Sequence, residues 1–491
     1  MDTRMGFLAS LLAGALVVAG APPARAQGQT IQRCSEAMAR SEPTAPCRDS
    51  SASAVSAPDS VEASSEPRAS TPMLDLRLSP SAADSIGYGY PYRDPVIATI
   101  SSALVNVDGI TPGVKRQVVH VPGLPGRNRL PGLEGRGYVS VALYRQHHPA
   151  PLMVILSGIG SSAYFGVGTN MAALFHRAGF HVLILPSPMN WDFALAASRS
   201  GAPGYTPADA RDVYDTLRRA LTVLRERHGL EIRGVDFLGI SLGALEGAYL
   251  SVLDAEEGRI GIQRYVLVNP PTDLDYALAT LEQWLASRAA LGPERAARLR
   301  GKALAIVEAH AEDHRSDPAA IESTVEDFSV FTTEELQYLI AQYVQMVFPE
   351  LVYVTQAIHD QHLLSAPRGE VRQRLAEARA FTMKDYTEKI ALPTWQRTGI
   401  VADSATASQG GSLAAILDRL RGNPRVHIVH SADDVLDDRA SIEELKAIMG
   451  EQMTLYPYGG HLGTLWYPPI RTRMLGLFDP ALEARRERRE R

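Results

Sequence analysis

The stretch Gly239-Ile240-Ser241-Leu242-Gly243 follows the apolar run Val235-Asp236-Phe237-Leu238 and leads into Ala244-Leu245-Glu246-Gly247-Ala248-Tyr249-Leu250. This order predicts a buried strand, a turn between two glycines and then a helix. A serine on such a strained turn exposes its hydroxyl above a sheet, and the glycines avoid collision with the strands on either side. The start of the helix offers free N–H groups and a positive dipole end to a developing oxyanion. Ser241 is therefore the candidate nucleophile, and the alternative is a turn of small residues without chemistry.

The sequence on both sides of this turn alternates between apolar strand-like runs and helical segments. Continuous apolar runs are typical of parallel strands that are covered on both faces. Their alternation with helices predicts an α/β fold, with a mostly parallel sheet and helices on both faces. We expect this core in two parts, residues 73–271 and 423–480. The strand-like runs are residues 117–121, 138–144, 152–156, 181–185, 235–238, 265–268, 426–429 and 453–456.

Between the two parts of the core, residues 272–422 have helical periodicity, which predicts a large inserted helical cap. Thr332 and Glu335 have the spacing of a capping box in front of an apolar stripe. Pro349 is expected to break or kink the helix that follows. Ser412 is predicted to cap the last helix of the insertion.

The N-terminus predicts export. An apolar run over residues 7–18 is preceded by Arg4 and followed by Ala24-Arg25-Ala26, which has the form of a cleavage site. This is the pattern of a signal peptide over residues 1–26, with Gln27 as the first mature residue. We therefore expect a periplasmic or secreted bacterial protein, and an uncleaved anchor is the alternative.

The remaining segments predict chain without a packed core. Residues 27–72 contain a long stretch dominated by Ser, Ala, Pro and Glu, which predicts a disordered linker. Cys34 and Cys47 lie in this segment, where an oxidising compartment would allow them to close a small loop. With no other cysteine in the chain, thiol catalysis is not expected. Within the tail at residues 481–491, basic and acidic residues alternate from Arg485 to Arg491, which predicts a solvated tail, and the net charge of −6 indicates no nucleic-acid partner.

His461 is the candidate general base. A serine hydroxyl is a weak nucleophile until a positioned base takes its proton. His461 lies in Gly459-Gly460-His461-Leu462-Gly463 after the last predicted strand, where small neighbours let an imidazole reach over the strand ends. The alternative is a turn histidine bonded to its own backbone. His430 is close in sequence to the candidate acid, and His359 and His362 are expected on a helix surface of the cap.

The candidate acid lies in Ser431-Ala432-Asp433-Asp434, directly after the strand-like run at residues 426–429. Nucleophile, acid and histidine then follow one another in the order usual for one large class of serine hydrolases. Asp434 is preferred. Asp433 stays open as the alternative, because the order of the groups alone does not choose between the two. Asp273, after the preceding strand, is an outside candidate.

Backbone N–H groups are the candidate oxyanion donors. One is the N–H of Leu242, the residue after the nucleophile, and the second is expected from Ile159 in the loop after residues 152–156. Gly158 and Gly160 would let that backbone approach closely, although the same glycines also suit a tight turn. No His or Cys cluster has the spacing of metal ligands, so neither a metal nor an organic cofactor is predicted.

These motifs resemble those of the α/β-hydrolase superfamily over residues 117–271 and 413–475. The doublet Asp433-Asp434 together with the Gly-Gly-His-Leu-Gly loop is further similar to the YheT-type branch of esterases and hydrolases. The resemblance implies an α/β-hydrolase fold in which the second Asp of the doublet, Asp434, is the triad acid. Ser157-Gly158 stands where His-Gly is usual in that branch, and insertions are usually much shorter there.

The sequence therefore predicts an exported serine hydrolase that cleaves an ester, like a carboxylesterase or a lipase, through an acyl-enzyme. The apolar stripes of the cap favour a hydrophobic small molecule or lipid ester as substrate, and peripheral membrane contact through the cap. The alternatives on the same triad are an acyltransferase, a thioesterase or a peptidase. A different alternative is a non-catalytic envelope protein that uses this fold for binding or as a scaffold. The sequence makes no prediction of the oligomeric state.

Overall fold

The computed structural model describes residues 88–104, 114–287, 291–310, 328 and 330–479. The predicted signal peptide, the linker with Cys34 and Cys47, and the charged tail lie outside the described residues. These three predictions, and the exact limits of the core and the cap, therefore stay predictions from the sequence.

The described part of the chain is organised by one eight-stranded sheet. Its strands are β1 (Gln117–Pro122), β2 (Tyr138–Tyr144), β3 (Ala150–Leu156), β4 (His181–Leu185), β5 (Ile232–Ile240), β6 (Tyr265–Val268), β7 (Val426–Ser431) and β8 (Met453–Tyr456). Their spatial order is β1-β2-β4-β3-β5-β6-β7-β8. β2 pairs antiparallel with β1 and β4, and every other neighbouring pair is parallel. Each of the eight strand-like runs in the sequence is a strand.

Helices join the strands and build the insertion between β6 and β7. They are α1 (Pro95–Leu104), α2 (Val167–Arg177), α3 (Trp191–Ala196), α4 (Thr206–Glu226), α5 (Leu242–Glu257), α6 (Leu274–Ala286), α7 (Pro293–His310), α8 (Thr333–Gln345), α9 (Phe348–His359), α10 (Val371–Ala378), α11 (Leu392–Arg397), α12 (Ser404–Gly411), α13 (Leu417–Arg421), α14 (Arg439–Met449) and α15 (Pro468–Phe478). A short turn, Met383–Asp385, and a π-helical segment, Tyr386–Ala391, precede α11.

The strands are buried because helices cover both faces of the sheet. On one face, Leu238 and Val266 belong to a buried apolar cluster that includes residues of α2 and α15. On the other face, α5 approaches so closely that a Cβ at Gly247 would lie 2.5 Å from the Phe237 ring and 2.9 Å from Leu267. The predicted α/β fold class, with a mostly parallel sheet and helices on both faces, is confirmed.

The insertion between β6 and β7 is helical wherever the structure describes regular elements in it. The predicted capping box is present at the start of α8: the Thr332 hydroxyl accepts from the N–H of Glu335, and the Glu335 carboxylate accepts from the N–H of Thr332. Pro349 lies in the first turn of α9, directly after the break between α8 and α9. No helix in the described ranges is long and apolar enough to cross a bilayer.

The prediction for Ser412 is wrong. Ser412 precedes a 3-10 helix, Leu413–Ile416, but its side chain makes no capping hydrogen bond to that helix. The hydroxyl instead donates to the carbonyl oxygen of Gln409 at 3.0 Å, so it closes the end of α12. A serine between two helical segments can bond to either one, and the sequence pattern does not distinguish the two arrangements.

Candidate active site

Ser241 lies on the sharp turn between β5 and α5, in a backbone conformation that L-residues rarely adopt, with φ 56° and ψ −125°. The two flanking glycines are required by close backbone contacts. A Cβ at Gly243 would lie 2.2 Å from the carbonyl oxygen of Leu156, and one at Gly239 would lie 2.5 Å from that of Gly243. The turn therefore projects the serine beyond the carboxyl end of β5, as the sequence pattern predicts.

His461 connects Ser241 to Asp434. Its Nε2 atom lies 2.8 Å from the Ser241 Oγ, and its Nδ1 atom lies 3.0 and 2.9 Å from the two carboxylate oxygens of Asp434. The three residues follow β5, β7 and β8, whose carboxyl ends meet at one edge of the sheet. The arrangement has the nucleophile–base–acid connectivity that lets an imidazole take a serine proton while a carboxylate orients it.

The Asp434 carboxylate is fully buried and held by donors from several segments. The Asn269 side-chain amide donates to Oδ2 at 2.7 Å, and the N–H of Leu436 donates to Oδ1 at 3.0 Å. Burial by itself raises the pKa of Asp434, but the facing His461 ring and the nearby His430 outweigh it and bring this pKa to about 2. Asp434 is therefore ionised at neutral pH and can stabilise an imidazolium at His461.

Asp433, the alternative acid, contacts the histidine loop rather than the imidazole. One of its carboxylate oxygens accepts a hydrogen bond from the N–H of Gly460 at 2.9 Å. Burial raises the pKa of Asp433 to about 6, although the N–H groups of Gly460 and Gly459 act in the opposite direction. Both members of the acidic doublet therefore bind the histidine loop, one through its ring and one through its backbone.

Asp273, His359 and His362 lie in other surroundings. Asp273 is the N-cap of α6, where its carboxylate accepts from the N–H groups of Asp275 and Tyr276. His359 contacts the carbonyl oxygen of Ser200 through its Nε2 atom at 2.5 Å, and the His362 side chain is exposed. The structure brings none of these three side chains to Ser241.

His430 forms a buried charge pair beside the candidate triad. Its Nε2 atom lies 3.3 Å from Asp437, and its Nδ1 atom lies 4.0 Å from Asp434. Burial alone lowers the pKa of His430, but Asp437 and Asp434 more than offset it and raise this pKa from 6.5 to about 9. The other oxygen of Asp437 accepts from the N–H and the hydroxyl of Thr272, at the start of the insertion.

His430, Asp434 and Asp437 also bring together ligand atoms that all lie within 4.8 Å of one another, a spacing that a metal ion could bridge. The Asp434 carboxylate already accepts bonds from His461, Asn269 and Leu436, and Asp437 accepts from Thr272. A protonated His430 supplies the positive charge that the two carboxylates need. In the structure the three side chains form a buried ion-pair network.

The candidate oxyanion donors lie on two sides of Ser241. Leu242 is the first residue of α5, and the first N–H groups of a helix have no partner within it. The loop after β3 passes next to the nucleophile: a Cβ at Gly158 would lie 3.1 Å from the Ser241 Cβ. Ile159 follows in that loop, and the assignment of its N–H and that of Leu242 as donors stays a prediction.

The insertion contacts the same loop. Val347, between α8 and α9, packs so closely on Gly160 that a Cβ there would lie 2.1 Å from a Val347 methyl group. Glu350, one turn further along α9, forms no ion pair with the residues that the structure describes, and burial raises its pKa to about 8. The predicted cap therefore lies directly against the loop that flanks Ser241.

Several residues of this site are not predicted from the sequence. Asn269 follows β6 with φ 47°, a conformation that asparagine tolerates better than most residues, and it binds Asp434. Thr99 of α1 accepts a hydrogen bond from the N–H of His461 at 2.9 Å, across 362 positions of the chain. A polar residue directly after a buried strand was the available signal for Asn269. Nothing in the local sequence distinguishes Thr99 from the other hydroxyl residues of α1.

Comparison with known proteins gives similarity in structure only. No protein-family model and no curated protein sequence matches the chain. Carboxyl esterase 2 from the mycorrhizal fungus Tuber melanosporum is 13% identical, with a TM-score of 0.38 over 77% of this chain and 88% of that one. The hyperthermophilic esterase from the archaeon Pyrobaculum calidifontis is 13% identical, with a TM-score of 0.38 over 83% of this chain and 100% of that one.

A third similar structure is a membrane phospholipase A described as a bacterial virulence factor. It is 12% identical, with a TM-score of 0.38 over 81% of this chain and 96% of that one. The resemblance to the YheT-type branch is not among these findings and stays a prediction. The architecture follows from the strand order of the sheet and from the strand ends that carry Ser241, Asp434 and His461. It does not depend on these comparisons.

Proposed function

This chain has the α/β-hydrolase fold, and we propose that it is a serine hydrolase that cleaves carboxylic esters. The observation that carries the proposal is the continuous contact from Ser241 Oγ through His461 to Asp434, with distances of 2.8 and 2.9 Å. Contacts of this length at both imidazole nitrogens fit proton transfer from the serine and stabilisation of the resulting cation.

In the proposed reaction, Ser241 Oγ attacks the ester carbonyl while its proton passes to His461 Nε2. A new Oγ–C bond forms, and the carbonyl oxygen becomes an oxyanion that the N–H groups of Ile159 and Leu242 bind. The ester C–O bond then breaks, and the leaving alcohol takes the proton from Nε2. Water repeats the sequence on the acyl-enzyme, which releases the acid and restores Ser241. The ionised Asp434 orients His461 throughout.

A fluorophosphonate probe tests the nucleophile without knowledge of the substrate. We expect the wild-type protein to label covalently and the Ser241→Ala variant not to label. Ser102→Ala serves as a matched serine control, since the Ser102 hydroxyl donates to a backbone carbonyl oxygen within α1, that of Thr99. Equal labelling of wild type and Ser241→Ala would refute the proposal and favour the non-catalytic alternative.

The proposed substrate carries a hydrophobic acyl group, as in a lipid ester. The support is the helical insertion, which packs an apolar cluster against α1 and seats Val347 on the loop beside Ser241. Apolar surroundings of this kind are usual in pockets that bind hydrophobic ligands. Rates on p-nitrophenyl esters of increasing chain length test this point, and a strong preference for acetate contradicts it.

Two further parts of the proposal concern location. Export rests on residues 1–26, and mass spectrometry of the mature protein should show Gln27 as its first residue. Peripheral membrane contact through the insertion is tested by flotation with vesicles, which should carry the protein upward.

Product analysis with an added alcohol separates hydrolysis from acyl transfer, because a transferase would produce a new ester.

A further inference from the structure

Helix α1, which precedes the first strand of the sheet, lies directly against the loop that carries His461. The Thr99 hydroxyl donates to the carbonyl oxygen of Pro95 at 2.6 Å and accepts from the N–H of His461 at 2.9 Å. Because its proton is committed to Pro95, the Thr99 oxygen is oriented to act as an acceptor. The hydrogen bond therefore ties the backbone of the candidate base to α1.

The histidine loop needs such support because Leu462, directly after His461, has a strained backbone conformation. Gly459, Gly460 and Leu462 all have positive φ, at 149°, 56° and 69°. The left-handed region costs a residue such as Leu462 about 1–2 kcal/mol. Two successive N–H groups in this loop are held by side chains from different elements, Gly460 by Asp433 and His461 by Thr99. The conformation of the loop therefore depends on outside partners rather than on its own hydrogen bonds.

The backbone of α1 packs closely against two glycines of the loop. A Cβ at Gly460 would lie 2.3 Å from the carbonyl oxygen of Pro95, and one at Gly463 would lie 2.2 Å from that of Ala98. No real Cβ tolerates such distances, so α1 packs against His461 only because both positions are glycine. The small residues that suggested room for an imidazole also make room for a helix.

Aromatic side chains form hydrogen bonds on both sides of this contact. The hydroxyl of Tyr88 donates to the carbonyl oxygen of Tyr458 at 2.6 Å, and the Tyr458 hydroxyl donates to that of Tyr88 at 3.0 Å. Beyond the loop, Trp466 donates through Nε1 to the Ser101 hydroxyl at 3.0 Å. The segment 88–104 is thus joined by hydrogen bonds to the chain before and after His461.

We propose that Thr99 is a positioning residue of the active site, which holds the His461 backbone so that its imidazole bridges Ser241 and Asp434. This inference rests on the proposed function. Thr99 touches neither the substrate nor the reacting atoms and acts through the N–H of His461. Loss of the acceptor frees the loop, and a displacement of about 1 Å at a catalytic group costs up to a hundredfold in rate.

The test compares Thr99→Val, which keeps the side-chain shape and removes the acceptor, with Thr99→Ser, which keeps the acceptor. Fluorophosphonate labelling rates and the kcat and KM for a p-nitrophenyl ester are measured for each. Thr99→Val should lower the labelling rate and kcat by about 10- to 100-fold with little change in KM. Thr99→Ser should retain both within about threefold. Ser102→Ala, in the same helix, should behave as wild type.

The outcomes separate the two proposals. Failure of the wild type to label overturns the proposed function. Wild-type labelling together with an unchanged rate in Thr99→Val overturns the positioning role. Equal losses in Thr99→Val and Thr99→Ser also overturn it, because the acceptor then does not matter. If Thr99→Val does not fold, Thr99→Ala, which removes the same acceptor, must lower kcat with little change in KM for the inference to stand.

Discussion

The molecule contains two loops of similar sequence, Gly239–Gly243 around Ser241 and Gly459–Gly463 around His461. Both have glycine two positions before and two positions after the functional residue. In the first loop, the glycines are required by the backbone of the adjacent strand β3 and of the loop itself. In the second loop, Gly460 and Gly463 are required by α1, more than 350 positions earlier in the chain.

The difference teaches that one spacing of small residues can have two physical causes. The serine loop is part of a strand–turn–helix unit, and its geometry follows from neighbours that are close in sequence or in the sheet. The histidine loop takes its shape from a helix outside the sheet and from Asp433. The two loops nevertheless meet at one hydrogen bond, His461 Nε2 to Ser241 Oγ.

The largest effect is expected from breaking that shared hydrogen bond. Ser241→Ala and His461→Ala should each lower kcat by about a million-fold, because either change disables the same proton transfer. The double variant should be no slower than either single variant. Steady-state kinetics on a p-nitrophenyl ester provide the measurement. Effects that multiply in the double variant would mean that the two loops act independently.

Substitution of each carboxylate in the doublet Asp433-Asp434 tests how the histidine loop is held. Asp434→Asn should lower kcat by about ten-thousandfold, because an amide cannot stabilise the imidazolium and favours the wrong tautomer. Asp433→Asn should cost about tenfold, since it weakens the hydrogen bonding of the carboxylate to the N–H groups of Gly460 and Gly459 but leaves the contact between Asp434 and His461 in place. The same kinetic assay compares them, and a larger loss in Asp433→Asn would exchange their roles.

The fold and much of the site could be predicted because their signals are local. The apolar runs predict all eight strands, and the glycines around Ser241 identify its turn without information from elsewhere in the chain. The preference for Asp434 over Asp433 is supported by the family resemblance, since adjacent carboxylates after one strand are nearly equivalent in pattern. In the structure their different hydrogen bonds distinguish them.

The partners that act across the chain could not be predicted in this way. Thr99 and Asn269 contact residues of the site that lie 362 and 165 positions away in the chain, and the His430–Asp437 pair packs beside Asp434. A single threonine in an apolar helix has no pattern that separates a loop support from a helix hydroxyl bonded to its own backbone. Such contacts depend on long-range packing, which periodicity does not encode.

Replacement of matched glycines tests whether the two loops differ in rigidity. Gly243→Ala places a Cβ 2.2 Å from Leu156, in a strand held between β4 and β5, and should destabilise the fold by about 3 kcal/mol or more. Gly463→Ala creates the same overlap with Ala98, but α1 lies outside the sheet and can shift. We expect about 1 kcal/mol lost there, with a roughly tenfold fall in kcat.

Denaturant unfolding and kinetics measure the two glycine variants together. The contrast holds if Gly243→Ala mainly loses stability and Gly463→Ala mainly loses activity at a temperature where it is folded. Equal losses of stability would show that α1 is as rigid as the central strands, and the proposed difference between the loops would then be wrong.

The last prediction concerns the buried charges behind the histidine loop. The pKa of His430 is raised from 6.5 to about 9, so the folded protein binds its proton more tightly than the unfolded chain does. The stability this provides is complete below pH 6.5 and is lost as the pH rises through about 9. The free energy of unfolding should fall across this window by at most about 1.4 kcal/mol per pH unit.

The pH effect is isolated by comparing variants of two histidines on the same strand. His430→Asn should remove this part of the pH dependence, because no proton is then released at that position. His427→Asn is the matched control: burial lowers the pKa of His427 to about 4, so neither its folded nor its unfolded form changes charge appreciably above pH 7. Glu350, with a pKa of about 8, titrates in all three proteins and cancels in the difference. Urea unfolding between pH 7.5 and pH 10 should therefore give parallel curves for wild type and His427→Asn and a shallower one for His430→Asn. Three parallel curves would mean that His430 is not the buried cation that balances Asp434 and Asp437.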